Sequence, residues 1–299
     1  MKTSRFLTLV VSLAILAAPG RALLKVVAST SDLAEFARAV GGDRVTVDYI
    51  VRGDQNPHLV EVKPSYMMKL KAADLFLEIG MQLEIWAPQI IDGSRNARLQ
   101  VIDCSRDIHK MEVPTAKVDA SQGDVHPFGN PHYWLDPENV RVILDEIADS
   151  FGERDPADAA YFRANADRYW TSLARSIANW RQLMAPYRGR KLVTYHSSFS
   201  YFAHRFGLEV AGYVEPKPGI APTPSHVVAL EQQMRQDRIG VVGVEQYYEE
   251  STPNAIADAV GARVIRLCTS VGGREGLETY TDMMDANVRA LAGAFAAQQ

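Results

Sequence analysis

Three histidines stand where a chain could gather them around a cation: His58 in GDQNPHLVEVKPS, His132 in GNPHYWLDP, and His196 at the end of KLVTYHSSFSYF. Neutral imidazole is the commonest protein ligand for Zn²⁺, and three of them at about 2.0–2.1 Å make most of a tetrahedral site. Taken singly, a loop histidine is more often solvated or hydrogen-bonded than ligating. Here, however, Asn56-Pro57-His58 and Asn130-Pro131-His132 repeat one tripeptide, each with a proline stiffening the approach, which a scatter of seven histidines would seldom give. A carboxylate could complete the set, because Glu245 ends the apolar run IGVVGVE and so leaves the carboxyl end of a strand. The other reading of Glu245 is a turn cap or an ion-pair partner. Water or a Cys268 thiolate are the alternative fourth donors, and a thiolate would make the site softer and still suit zinc.

Such residues need strands to aim them. From residue 24 short apolar runs alternate with amphipathic segments: LKVVAS, a helix near 32–40, VTVDYIV, a helix near 64–72, and DLFLEIG. That βαβαβ pattern calls for a parallel sheet with helices on both faces. A short helix near 84–91 and a strand near 98–102 follow, and residues 103–130, rich in Pro, Gly, Asp and Ser, read as a long surface loop. Asp155-Pro156 starts one long helix, with Phe162, Ala166, Tyr169, Leu173, Ile177, Trp180 and Met184 at helical spacing. Roughly 30 residues at ~1.5 Å each give about 45 Å, a stiff strut able to join two lobes and to limit their hinge motion. After Gly189 the alternation resumes with KLVTYH, LEVAGYV, IGVVGVE and ARVIRL between helices, and a terminal helix from about Leu277 closes the chain. The fold class is therefore α/β, two similar lobes with parallel β-sheets flanked by helices, joined by one long rigid helix. Each of the three histidines follows or borders a predicted strand end or helix start, and open α/β sheets bind ligands outside the carboxyl ends of their strands, where such loops meet.

Met1-Lys2-Thr3-Ser4-Arg5 and the uncharged run 6–18 have the basic and apolar regions of a secretory signal, with a small-x-small site at Gly20-Arg21-Ala22. The resulting division is a signal peptide 1–22, an N-terminal lobe 23–153, a linking helix 154–188 and a C-terminal lobe 189–299. No cysteine borders the cleavage site, so the expected product is periplasmic and unanchored rather than a lipoprotein. The formal charge of −4 disfavours nucleic acid as a partner. Cys104 and Cys268, the two cysteines, exclude a disulfide scaffold and a paired CxxC zinc knuckle, and leave one bridge or two buried thiols open. His109 and His126 share the long loop and read as solvated, His126 having as its sharper reading an auxiliary metal-collecting role. His204 and His226 sit on helices. Glu84 and Asp136 are candidates to accept a histidine's second ring proton, Asp136 before Pro137 reading better as a helix cap. Trp86, Tyr133, Trp134, Phe199, Tyr201 and Phe202 could dry the site or simply fill cores. The proline-rich VEPKPGIAPTPSH reads as a rigid loop over the second lobe.

The segments GDQNPHLVEVKPSYMMKLKAADLFLEIGMQLEIW, NPHYWLDPENV, YHSSFSYFAHRFGLEV and ETYTDMMDANV resemble the zinc/manganese substrate-binding proteins of ABC importers, the cluster A-I or ZnuA/TroA-like family, over essentially the whole mature chain. The resemblance implies a cation held in a cleft between two lobes, with His58, His132 and His196 as the family's three histidine ligands. It implies an ABC-type permease and its ATPase as partners, with a periplasmic metallochaperone as a further one, and a monomer suits such a shuttle. Many members supply an aspartate in the loop after the penultimate strand, where this chain reads Arg266-Leu267-Cys268-Thr269-Ser270.

Three histidines and a carboxylate saturate tetrahedral zinc, and a closed shell stores a metal without activating water. The expected function is capture and delivery of Zn²⁺, with Mn²⁺ or Fe²⁺ as the alternative cargo; manganese favours more oxygen donors. A secreted zinc hydrolase would need an open position and a general base, and no HExxH or GxSxG occurs. Imidazole ligation predicts an affinity that falls on acidification toward pH 5.

Overall fold

The computed structural model describes residues 23–116 and 126–298. The expected signal peptide and the middle of the long loop lie outside the described residues. The first sheet holds β1 (Leu24–Thr30), β2 (Val45–Val51), β3 (Leu75–Glu78) and β4 (Gln100–Asp103), all parallel in the order β2-β1-β3-β4. The second holds β5 (Lys191–Thr194), β6 (Glu209–Tyr213), β7 (Val241–Glu245) and β8 (Arg263–Leu267), also parallel and in the equivalent order β6-β5-β7-β8. Strands covered on both faces need apolar residues at every position, which is why LKVVAST and VVGVE carry no alternation. In each sheet the chain moves one way and then doubles back across its starting strand. That leaves a switch point between β1 and β3, and another between β5 and β7, with a crevice outside their carboxyl ends.

The connecting helices are α1 (Ser31–Gly41), α2 (Pro64–Ala72), α3 (Ala87–Ser94), α4 (Asn139–Arg154), α5 (Ala159–Met184), α6 (Ser200–Phe206), α7 (Pro224–Asp237), α8 (Ser251–Val260) and α9 (Tyr280–Ala296). Their ends follow local chemistry. Thr223 accepts from the His226 amide ahead of Pro224 at the first position of α7, and Gly207 closes α6 in the left-handed region at φ 70°.

Three elements depart from the sequence reading. The helix expected near 84–91 begins at Ala87, because Met81 and Gln82 take left-handed φ of 52° and 63° and Glu84 instead turns back to cap the Ile79 and Gly80 amides at 2.8 and 3.1 Å. Asp155-Pro156 opens a 3₁₀ turn, Pro156–Asp158, so the long helix α5 starts at Ala159 and spans 26 residues, about 39 Å. Asp136 does accept the Glu138 amide at 3.0 Å, but the cap position of α4 falls on Glu138, and the Asp136 carboxylate is gripped by Arg205 at 2.6 and 2.7 Å.

Apolar packing joins the two sheets. The largest cluster runs from Val26, Leu75 and Ile102 of the first sheet through Phe36, Leu144, Phe162 and Trp180 to Leu192, Val241 and Phe295. Smaller clusters around Phe76 and Trp86, and around Val242 and Ile256, cover the outer faces. Polar bonds cross the same junction: Trp134 Nε1 donates to Thr269 O at 2.8 Å, Tyr280 Oη to Trp134 O at 2.5 Å, and the Val271 amide to Asp32 Oδ1 at 3.1 Å. Glu35 takes both the Tyr169 hydroxyl at 2.7 Å and the Tyr280 amide at 2.6 Å. At Gly53 the two halves touch backbone to backbone, and a Cβ there would sit 2.0 Å from Val271 O. Trp86, Tyr133, Trp134, Phe199, Tyr201 and Phe202 are all buried. Cys104 and Cys268 are separate buried thiols.

Candidate metal centre

His58, His132 and His196 converge. One ring nitrogen from each lies within 4.8 Å of the others, and all three residues are buried. His58 arrives on the loop after β2, His132 on the segment leading into α4, and His196 two residues past β5, so both halves of the chain contribute. The repeated tripeptide has a local cause. Asn56 Oδ1 accepts the His58 amide at 3.0 Å and Asn130 Oδ1 accepts the His132 amide at 2.9 Å, two Asx turns whose prolines fix the intervening backbone. Trp86 Nε1 braces the first of them by donating to Pro57 O at 2.9 Å.

The outer ring nitrogens are also placed. Asn130 gives its amide protons to Glu112 Oε2 at 2.9 Å and Ser197 O at 2.8 Å, so its oxygen must accept from His132 Nδ1, 2.8 Å away. That leaves the His132 Nε2 lone pair facing His58 Nε2 at 3.1 Å. His196 Nδ1 bonds the Glu215 carboxylate, whose other oxygen is fixed by the Gly219 amide at 3.1 Å, so His196 presents Nε2, which is buried and has no partner among the described residues. A carboxylate behind a ligating imidazole sets its tautomer and strengthens its lone pair. Replacing Glu215 with alanine is therefore expected to weaken zinc binding by about 10–100-fold, measured by competition with a chelator of known affinity. Unchanged affinity would remove Glu215 from the site.

Glu245 is wholly buried at the end of β7, and both of its carboxylate oxygens lack a hydrogen-bond partner. Burial pushes its carboxyl up to about 7, opposed by the neighbouring His196 and by the Ser198 hydroxyl, which lies near enough to favour the carboxylate without closing a hydrogen bond of ordinary geometry. An unsatisfied buried carboxylate is costly unless a cation compensates it. Its oxygens fall outside the trio's 4.8 Å grouping, as does the Cys268 thiol, which burial holds protonated. His58 and His132 are pushed well below 6.5 by burial and then by the surrounding imidazoles, so they stay neutral and able to ligate. The donor set suits a cation: tetrahedral donors at 2.0–2.1 Å from an ion stand about 3.3 Å apart, close to the observed 3.1 Å between His58 and His132.

Sequence reasoning missed Glu215 and undervalued His126. Glu215 follows β6 in LEVAGYVEP, the same strand-end pattern that singled out Glu245. His126 is not a solvated loop residue. Its Nε2 is buried without a partner among the described residues, its ring lies 5.2 Å from His58, and burial pushes it down to about 4. His109 and His204 are exposed, and His226 bonds Tyr213 O at 3.0 Å. Glu84 and Asp136 bond elsewhere, as described above.

Residues 26–294 match the zinc-uptake complex component A periplasmic family, ZnuA. The chain belongs to that family. Members of the ZnuA family are metal-binding substrate-binding proteins of ABC importers, and relatives are named for different metals. This chain is 28% identical to the manganese-binding lipoprotein MntA of Halalkalibacterium halodurans, over 89% of this chain and 86% of that one. It is 26% identical to the iron-binding protein YfeA of Yersinia pestis, over 91% and 86%. With the high-affinity zinc uptake protein ZnuA of Bacillus subtilis it shares 22%, over 90% and 86%. A crystal structure of ZnuA superposes with a TM-score of 0.79, covering 91% of this chain and 99% of that one at 24% identity, which establishes the shared two-lobe fold.

Proposed function

We propose that this protein captures one divalent cation, zinc before manganese or iron, on His58, His132, His196 and Glu245, and delivers it to an ABC importer. The observation that carries the reading is the convergence of three buried imidazoles from both halves of the chain, beside a buried carboxylate whose oxygens make no well-formed hydrogen bond among the described residues. Three nitrogen donors and one oxygen suit tetrahedral zinc, whereas manganese prefers more oxygen. Glu245 closes the shell by moving toward the trio when the ion arrives, which would leave no open position for hydrolytic water; the protein is then a carrier and not an enzyme.

The permease and ATPase follow from the family. Action as a monomer, loading by a metallochaperone, and the division at 22/23, 153/154 and 188/189 belong to the same proposal. So does release from the membrane after cleavage. MntA is named a lipoprotein, and the unanchored reading here rests on the absence of cysteine around residues 20–23.

Competition calorimetry on chelator-stripped protein tests the cargo. The expected result is one Zn²⁺ per chain, bound far more tightly than Mn²⁺ or Fe²⁺, and equal or tighter Mn²⁺ binding would reverse the assignment. The pH dependence tests the ligands. A cation must displace the proton on Glu245, so below about 7 zinc affinity should fall about tenfold per pH unit. His58 and His132 bind protons only well below 6.5, so they add to the fall later. Glu245→Gln should bind more weakly at pH 8 yet lose the slope between pH 7 and 6. Zinc affinity at pH 8 that is unchanged by the substitution would exclude Glu245 as the fourth ligand.

A further inference from the structure

Two buried hydroxyls stand beside Glu245 without bonds of their own. Ser198 Oγ and Tyr247 Oη, like both Glu245 oxygens and His196 Nε2, make no well-formed hydrogen bond among the described residues. They come from the strand ends that carry the second half's two candidate ligands, since Ser198 lies two residues past His196 and Tyr247 two past Glu245. Ser198 is wholly buried and near enough to the Glu245 carboxylate to favour its charge, and the Tyr247 hydroxyl stands in the same relation to Ser198 and Thr269. A line of hydroxyls therefore runs from Thr269 through Tyr247 and Ser198 to Glu245. The frame around it is fixed. Arg266 Nη1 donates to Glu245 O at 3.0 Å and to Tyr248 O at 2.7 Å, which sets the turn between them. The Gln246 side chain accepts the Thr269 amide at 3.0 Å and donates to Gly53 O at 2.7 Å, while Thr194 Oγ1 donates to His196 O at 2.6 Å. Leaving buried hydroxyls unbonded is unfavourable, and a rigid frame presents these two to one carboxylate that itself lacks partners.

We propose that Ser198 and Tyr247 are positioning residues that hold Glu245 to the cation through one oxygen and so set the preference for zinc over manganese. This rests on the proposed function above, with Glu245 as the fourth ligand. When the ion is seated, Ser198 Oγ donates to the carboxylate oxygen that is not on the metal, and Tyr247 Oη donates to Ser198 Oγ. A carboxylate free to turn can offer both oxygens, which raises the coordination number toward the six oxygen-rich positions that suit manganese. One oxygen and three imidazoles make the four that zinc takes. The hydroxyls act through Glu245 and touch no metal themselves.

The test compares wild type, Ser198→Ala, Tyr247→Phe and Glu245→Gln, each stripped with chelator, at pH 8. Zn²⁺ and Mn²⁺ affinities are measured by competition with a chromophoric chelator, and Co²⁺ is added separately as a spectroscopic probe, because it absorbs visible light strongly in four-coordinate sites and weakly in higher coordination. The first two substitutions each delete one oxygen, and circular dichroism checks that the fold is kept. Both should still bind one Zn²⁺ per chain. Their zinc-to-manganese affinity ratio should fall about tenfold, the low end of what a partner behind a metal ligand contributes, and their Co²⁺ absorption should weaken. A wild-type ratio and spectrum in both would overturn the proposal. So would a parallel loss of zinc and manganese affinity with an unchanged spectrum, which would make the hydroxyls props of the fold. In either case Glu245→Gln still weakens zinc binding and the carrier reading stands. If Glu245→Gln binds zinc like wild type, the fourth ligand and this proposal fall together, whereas failure of wild type to bind zinc would remove the carrier reading itself.

Discussion

Replacing His196 with alanine or asparagine is expected to weaken zinc binding by more than about a hundredfold, beyond the usual cost of losing an outer hydrogen-bonding partner. His196 is the histidine that the second half of the chain brings to the trio, and its Nε2 is buried with no other bond to make. Alanine also strands the buried Glu215 carboxylate, so a loss there mixes ligation with local collapse. Asparagine separates the two, since its amide can still donate to Glu215 while offering no nitrogen lone pair to the ion. Calorimetry on stripped protein reads the affinity, and circular dichroism checks the fold. An asparagine variant that binds zinc like wild type would show that the cation does not bridge the two halves at His196.

Replacing Arg205 with alanine should produce the largest loss of stability. Arg205 on α6 forks onto Asp136, whose side chain is only 5% exposed, and also reaches Glu138 at 2.6 Å. The pair ties the turn after His132 to the second half of the molecule. Removing one partner of such a pair leaves a buried charge and typically costs about 3–5 kcal/mol, on the order of 10 °C in melting temperature for a chain of this size. Differential scanning calorimetry of the metal-free protein measures it. The double replacement Arg205→Met with Asp136→Leu should recover most of the loss, because an apolar pair of similar volume needs no compensation. If the single variant melts within a degree or two of wild type, the ion pair is not a tie between the halves.

Much of this was legible in the sequence because period and punctuation carry it. VVGVE and LKVVAST lack alternation because both sheet faces are covered, and helices between them force parallel strands. Two of the three histidines, His58 and His132, were legible through the doubled Asn-Pro-His, whose meaning is an Asx turn that presents each ring, and His196 through its place at the end of KLVTYH. Glu215 escaped although its strand-end position matches that of Glu245, because the prolines after it read only as a stiff loop. His126 was misjudged because its burial depends on a left-handed turn at Met81 and Gln82, and no residue pattern announces such a turn at non-glycine positions. The shared core was likewise hidden. Helical spacing in α5 tells which face is apolar, but not that Trp180 and Phe162 serve one cluster reaching both sheets. The loop after β8 reads as lacking the family's aspartate, and its backbone instead ties the two halves together. Val271 is bonded through its amide to Asp32 and through its carbonyl to Ser31 Oγ at 2.7 Å.

X-ray absorption at the zinc edge of the protein loaded with one equivalent of Zn²⁺ tests the central claim most directly. Three imidazole nitrogens and one carboxylate oxygen should give four light scatterers at about 2.0–2.1 Å, with the outer-shell signature of three histidine rings. The oxygen contribution should change in Glu245→Gln. A sulfur scatterer at about 2.3 Å would place Cys268 on the metal instead, and fewer than three imidazoles would contradict the site.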